Sequence, residues 1–174
     1  LYGVTIPLSA SAFLVGQLNL AAAERAGVHL VYGTDGEGPV LGLDARVVQH
    51  QIPVRRDPKP WQDLWGLWQL VMLLRSIRPG TVVMGTPKMG LLGLVAAWLL
   101  RVPRRVYVLH GLRLEGGRGG GRALLWMMER LSMMCATEIF AVSDSLRAEA
   151  LRLRLSRSTR IRVVAQGSIS GVDL

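Results

Sequence analysis

The chain has 174 residues, room for one α/β domain with a real core. Half of it is apolar and 19% is charged, too apolar for disorder, and its 20 glycines follow no period of three, which excludes collagen. The formal net charge is +9 and is uneven: residues 1–100 carry 8 basic and 6 acidic groups, residues 101–174 carry 13 basic and 6 acidic, and all 13 are arginine. Such a half points to an anionic partner (nucleic acid, a phosphorylated substrate or an acidic membrane surface), although an arginine-rich codon bias accounts for part of it equally well. A single cysteine, Cys135, excludes a disulfide framework, and His29, His50 and His110 lack the spacing of a structural metal site.

In chain order, residues 2–6 (YGVTI) read as a short buried strand and 12–26 as a helix stopped by Gly27. Residues 28–32 are a second strand and 46–50 a third. The proline-punctuated basic loop PVRRDPKP (53–60) leads into a helix over 61–77. On it Leu64, Leu67, Trp68, Val71, Leu74 and Arg75 recur at spacings of three and four, so most of that face is expected in the core. Trp61, Trp65 and Trp68 read as core or as an interfacial stripe. Residues 81–84 are a strand and 88–100 a helix, whose uncharged run 89–100 is shorter than the ~20 residues of a membrane span and reads as a buried core helix. A strand over 104–109, a Gly/Arg loop, a helix over 124–134, a strand over 138–142, a helix from Asp144 capped by Ser143, and a strand over 161–165 complete the pattern. The opening has no basic start and no initiator Met, so no signal peptide is expected and the numbering is expected to begin inside a longer gene product.

Continuous apolar strands alternating with helices predict a Rossmann-like α/β fold: a parallel sheet covered on both faces. Ligands of such sheets bind beyond the carboxyl ends of the strands. His110, directly after RRVYVL and before Gly111, is the foremost candidate; its imidazole either bonds a substrate hydroxyl near neutral pH or caps the strand. Gly16 either presents amides to a phosphate or packs. Lys88, at a helix start where the macrodipole opposes a cation, either binds an anion or is solvated. Arg55 and Arg56 are either a surface loop or a grip on a diphosphate. No phosphate-loop signature, nucleophile elbow or zinc-protease motif occurs.

Seven segments in order carry a family resemblance: SASAFLVGQ (9–17), RRDPKPWQDL (55–64), the block 78–103, VYVLHGLRLE (106–115), ER (129–130), VSDSLR (142–147) and GSISGVDL (167–174). With these the chain resembles the N-terminal, acceptor-binding domain of retaining family 4 glycosyltransferases of the GT-B fold, the bacterial kind that build capsule, exopolysaccharide and lipid-linked glycans. The resemblance implies residues 1–165 as that domain and 166–174 as the start of a linker to an absent C-terminal domain that binds the nucleotide-sugar. It implies transfer from a UDP- or GDP-linked sugar to a glycan or lipid-linked acceptor with retention, no metal or other cofactor, and no nucleic-acid partner. It also implies a cytoplasmic location, peripheral at the inner face of an anionic membrane. His110 maps onto the family's cleft histidine and Gly16 onto its glycine-rich turn. Arg56 and Lys88 map onto an anion-binding cluster, with Gly111, Glu115 and Ser143 at the same rim. Ser170 stands where many relatives have Asn, and without the second domain the fragment is expected to be inactive. The alternative is a freestanding basic nucleotide- or nucleic-acid-binding module, which would bind DNA or RNA with a steep salt dependence.

Overall fold

The computed structural model describes residues 1–25, 27–35, 38–57, 59–112 and 120–163. The predicted Glu115 and the linker at 166–174 lie outside them. Seven strands form one parallel sheet: β1 (Tyr2–Val4), β2 (His29–Tyr32), β3 (Val48–Gln51), β4 (Thr81–Gly85), β5 (Arg104–Leu109), β6 (Glu138–Ala141) and β7 (Ile161–Val163), in the order β3-β2-β1-β4-β5-β6-β7. The chain moves outward from β1 to β3, then crosses to β4 on the far side of β1. The order therefore reverses between β1 and β4, which opens a crevice at their carboxyl ends.

Helices α1 (Pro7–Phe13) and α2 (Val15–Glu24) cover one face over β1 and β2, packing Ala10, Leu14, Leu18 and Ala22 onto Val4, Leu30 and Tyr32. Helices α3 (Pro60–Ile77), α4 (Pro87–Leu99), α5 (Gly120–Cys135) and α6 (Asp144–Arg152) belong to the larger core on the other face. Helices thus lie on both faces, as the continuous apolar strands foretell. The first helix begins at Pro7, not residue 12, because proline suits a first helical turn, and it breaks at Leu14 into two. Gly27 takes the left-handed φ of 76°. Ser143 caps α6 as expected, its Oγ accepting from the Leu146 amide at 3.2 Å.

The face of α3 is turned from its predicted setting. Gly66, Leu70 and Leu74 are buried and Leu67 and Val71 partly so, but Leu64 and Trp68 are exposed with Trp61 and Trp65. Apolar residues run nearly all round this helix, so spacing alone did not select the face. Glycine decides it: a β-carbon on Gly66 would collide with the Val54 side chain.

The run 89–100 is the core helix expected over residues 89–97, while Trp98 and Leu99 at its end are exposed. Met89, Gly90, Leu92, Gly93, Leu94, Ala96 and Ala97 are all enclosed, and no helix among the described residues is long and apolar enough to cross a membrane. Gly90 and Gly93 let α4 approach the sheet, where a β-carbon would strike the Tyr107 ring and the Met84 thioether respectively. Tyr107 is fully buried and its hydroxyl donates to Glu129 Oε2 of α5 at 2.8 Å. Glu129 Oε1 has no partner among the described residues. Burial pushes the Glu129 carboxyl up to about 7, the Tyr107 bond pulling weakly the other way.

Two predictions follow from this cross of α4, β5 and α5. Gly90→Ala forces the Tyr107 ring aside and is expected to cost about 1–3 kcal/mol, read from the denaturant midpoint. Glu129 binds its proton more tightly folded than unfolded, so its favourable contribution is complete below the unfolded carboxyl value of 4.5 and disappears as pH rises toward 7. Glu129→Gln should flatten that part of the stability–pH curve, gaining on the wild type by on the order of 3 kcal/mol between pH 4 and pH 8.

Candidate functional site

The crevice between β1 and β4 holds a cavity of about 340 Å³, lined by the ends of three strands and by one loop: Thr5, Ile6 and Ser9; Thr86, Pro87 and Lys88; His110, Gly111 and Leu112; and Arg56. Of the predicted residues it gathers His110, Gly111, Arg56 and Lys88. Gly16 does not line it: exposed on α2, it has open space where a β-carbon would stand and no positive φ. Ser143 follows β6 on the same edge, but its hydroxyl is occupied by the α6 cap and by Ser145 Oγ at 2.9 Å.

His110 leaves β5 half-buried. Its ring meets Phe13 of α1 at 5.3 Å between centroids, tilted by 34°. A β-carbon at Gly85 would stand 2.9 Å from its Nε2, so the glycine ending β4 makes the seat for the imidazole. Desolvation lowers its pKa, leaving a neutral ring near pH 7. No protein group among the described residues bonds the ring nitrogens in place of a ligand. The same ring also walls a second, more apolar cavity of about 210 Å³, bounded by Tyr2, Leu14, Gln17, Val83, Val108 and Phe140 on the part of the sheet that α1 and α2 leave open. Gly111 uses no left-handed conformation, and its contribution is the open space above its α-carbon.

A pair missing from the sequence reading joins the strands beneath the cavity. Thr5 Oγ1 and Thr86 Oγ1 lie 2.7 Å apart, the Thr5 amide donates to Thr86 Oγ1 at 3.1 Å, and the Met89 amide donates to Thr5 Oγ1 at 3.3 Å. Thr5 thus caps α4 from a neighbouring strand. Thr86 has φ 65° and ψ 139°, a backbone conformation that a β-branched residue rarely takes and that costs on the order of 1–3 kcal/mol. Such strain collects at functional sites. The only trace in the sequence is a threonine between Gly85 and Pro87 at a strand end.

Lys88 has a different task from the one its position suggested. Its side chain is only 9% exposed, and its ammonium lies 2.7 Å from Asp63 Oδ1 of α3 and donates to the carbonyls of Arg55 at 2.7 Å and Asp57 at 2.5 Å. Its charge is paired with Asp63 and two of its donor positions are bonded to carbonyls, so the cation fastens the loop before α3 and is not free for an anion. That offsets the unfavourable macrodipole and holds Arg56 over the cavity. The Arg56 amide donates to Asp35 Oδ2, while its guanidinium is exposed and makes no ion pair among the described residues. Arg56 is therefore the cation this rim presents. Among the described residues no three or more His, Cys, Asp or Glu side chains converge as a metal cluster.

Lys88→Met keeps the stem but leaves the Asp63 carboxylate without its cation and two carbonyls without their donor. Breaking a buried pair in this way is expected to cost about 3–5 kcal/mol, seen as a lower denaturant midpoint and faster proteolysis at 55–59. Adding Asp63→Leu should recover part of the loss.

Comparison with known proteins agrees with this architecture. The chain is 34% identical over 158 residues to the capsular polysaccharide biosynthesis glycosyltransferase CapM of Staphylococcus aureus, covering 91% of this chain and 41% of that one. It superposes on the UDP-GlcNAc 2-epimerase of Methanocaldococcus jannaschii with a TM-score of 0.63 at 18% identity, covering 95% of this chain and 44% of the epimerase. On Anabaena Alr3699/HepE, solved with UDP and glucose, the TM-score is 0.61 at 15% identity, covering 95% and 43%. The chain thus spans less than half the length of these relatives, and the structural likenesses establish the fold alone. A model described as the glycosyl transferase 4-like domain matches residues 11–167. On that match over most of its length, with the fold it predicts, the chain belongs to the glycosyl transferase 4-like domain family.

Proposed function

We propose that this chain is the acceptor-binding half, residues 1–165, of a retaining glycosyltransferase that moves a sugar from a UDP- or GDP-linked donor to a glycan or lipid-linked acceptor during the synthesis of cell-surface polysaccharide. Residues 166–174 begin the linker to a donor-binding lobe, and the whole enzyme works in the cytoplasm, peripherally at the inner face of the membrane. The observation that carries this reading is one cavity, at the β1/β4 crevice of a family 4 chain, where a neutral imidazole, an exposed guanidinium and open backbone meet. Family membership favours it over a freestanding nucleic-acid-binding module, and the kinship with CapM favours capsule-type glycans.

In this reaction the bond between the anomeric carbon and the diphosphate oxygen breaks while the acceptor hydroxyl oxygen bonds to the same carbon from the same face. The hydroxyl proton passes to the leaving phosphate. A neutral His110 hydrogen-bonds the donor sugar and orients it, and its low basicity keeps it from competing for that proton. Arg56 draws a phosphate-bearing acceptor to the rim with its fork of donors. The rate comes from positioning two substrates and from fixed donors facing the developing charge. The chemistry proceeds without a resident metal or other cofactor.

The test uses the whole enzyme, with radiolabelled nucleotide-sugar and a lipid-linked acceptor. His110→Ala is expected to lower kcat at least a hundredfold with an unchanged melting profile, and Arg56→Ala to raise the acceptor KM about tenfold with less effect on kcat. A chelator should leave the rate unchanged. A His110→Ala enzyme at the wild-type rate overturns the reading.

A further inference from the structure

Helices α3, α4 and α5 form one layer on the sheet, with α4 in the middle; α4 begins in the cavity wall and α3 begins four residues after Arg56. The outward side of α3 is an uninterrupted apolar stripe: Trp61, 85% exposed, then Leu64, Trp65, Trp68 and Met72, all about half exposed. At 100° per residue these five positions fall within an arc of about 100°. Trp65 and Trp68 stack at 4.6 Å between ring centroids. A second stripe lies on α5, where Leu124, Met127, Leu131 and Met134 are exposed at spacings of three and four, and Trp98 and Leu99 stand out at the end of α4. Single exposed apolar residues are ordinary, but stripes of this extent on neighbouring helices are not.

The charges around the stripes select the occupant. The three helices contain two carboxylates: Asp63 is held by Lys88 and Glu129 is buried against Tyr107. Among the described residues, the exposed ionic groups on and beside the layer are five cations, Lys59, Arg75, Arg78, Arg101 and Arg122, against the single carboxylate of Asp57 in the loop before α3. Arg78 (φ 51°) and Arg101 (φ 54°) occupy left-handed positions after α3 and α4, where glycine would be unstrained, so a cation stands where backbone geometry favours none. A second copy of the chain would bring arginine against arginine. Tryptophans flanked by a surplus of cations match the boundary between headgroups and acyl chains of an anionic bilayer.

We infer that the outer side of the α3–α4–α5 layer is a membrane-docking face, which seats Trp61, Trp65 and Trp68 at the headgroup boundary of an anionic bilayer. The stripe starts at Trp61, five residues after Arg56, so the docked face brings the cavity mouth to the lipid surface. This extends the reading of a membrane-side acceptor, but docking is measured without donor or acceptor, so its failure and that of the transferase reading are separable.

The experiment is cosedimentation of the 174-residue chain with vesicles of phosphatidylcholine, alone or mixed with phosphatidylglycerol, together with tryptophan quenching by acyl-brominated lipid. The mixed vesicles should bind the chain, and the brominated lipid should quench it. The triple variant Trp61→Ser, Trp65→Ser, Trp68→Ser, altered only at exposed positions, should partition at least about tenfold less with an unchanged melting profile. Arg75→Gln should lose about fivefold on anionic vesicles, whereas Arg46→Gln, off the layer and paired with Asp44, should lose nothing. Equal binding by the triple variant, no binding to either vesicle, or a dimer in sedimentation that the tryptophan substitutions dissolve would overturn the proposal.

Discussion

The site depends on one buried cation. Lys88 rises from the first turn of α4 and gathers a carboxylate from α3 and two carbonyls from the loop before it. Without that clamp, the loop carrying Arg56 would be tied to the sheet edge chiefly through Asp35, which takes the Arg56 amide and lies 4.0 Å from Arg55. Coulomb attraction is strong in so enclosed a place, and so is the cost of an unmatched charge. The arrangement therefore favours one position of the loop. Beneath it, the Thr5–Thr86 seam does the same for the β1 and β4 ends with neutral groups.

The fold was largely legible in the sequence because its main determinants are local. Buried parallel strands show as unbroken apolar runs such as VHLVY and RRVYVL, and Gly27 and Ser143 mark helix ends by their own chemistry. Two features were not legible. On α3, apolar side chains surround the axis, and the face that packs is chosen by Val54 reaching the smooth surface at Gly66, a tertiary contact. On α4, a lone lysine in an apolar run looks like a free cation until Asp63, 25 residues earlier, is brought beside it.

The site divides in the same way. His110 was readable because it directly follows a strand, and the strand ends of a parallel sheet share an edge. The Thr5–Thr86 pair was not, since its members are 81 residues apart and meet only through the β1–β4 crossover. Ser143 occupies the correct edge of the sheet without turning into the cavity, whereas Gly16 lies beyond α1, on α2. The ER dipeptide of the family resemblance is architectural here: Glu129 anchors α5 to β5 through Tyr107, and Arg130 holds the carbonyls of Arg154 and Leu155.

The imidazole of His110 is a partition between two chambers, one polar and facing the crevice, the other apolar and bounded by Leu14, Val83 and Phe140. Volume gained on one side by a swing of the ring is lost on the other. A side chain that fills the apolar chamber would prop the ring toward the crevice and set its reach without itself entering the crevice.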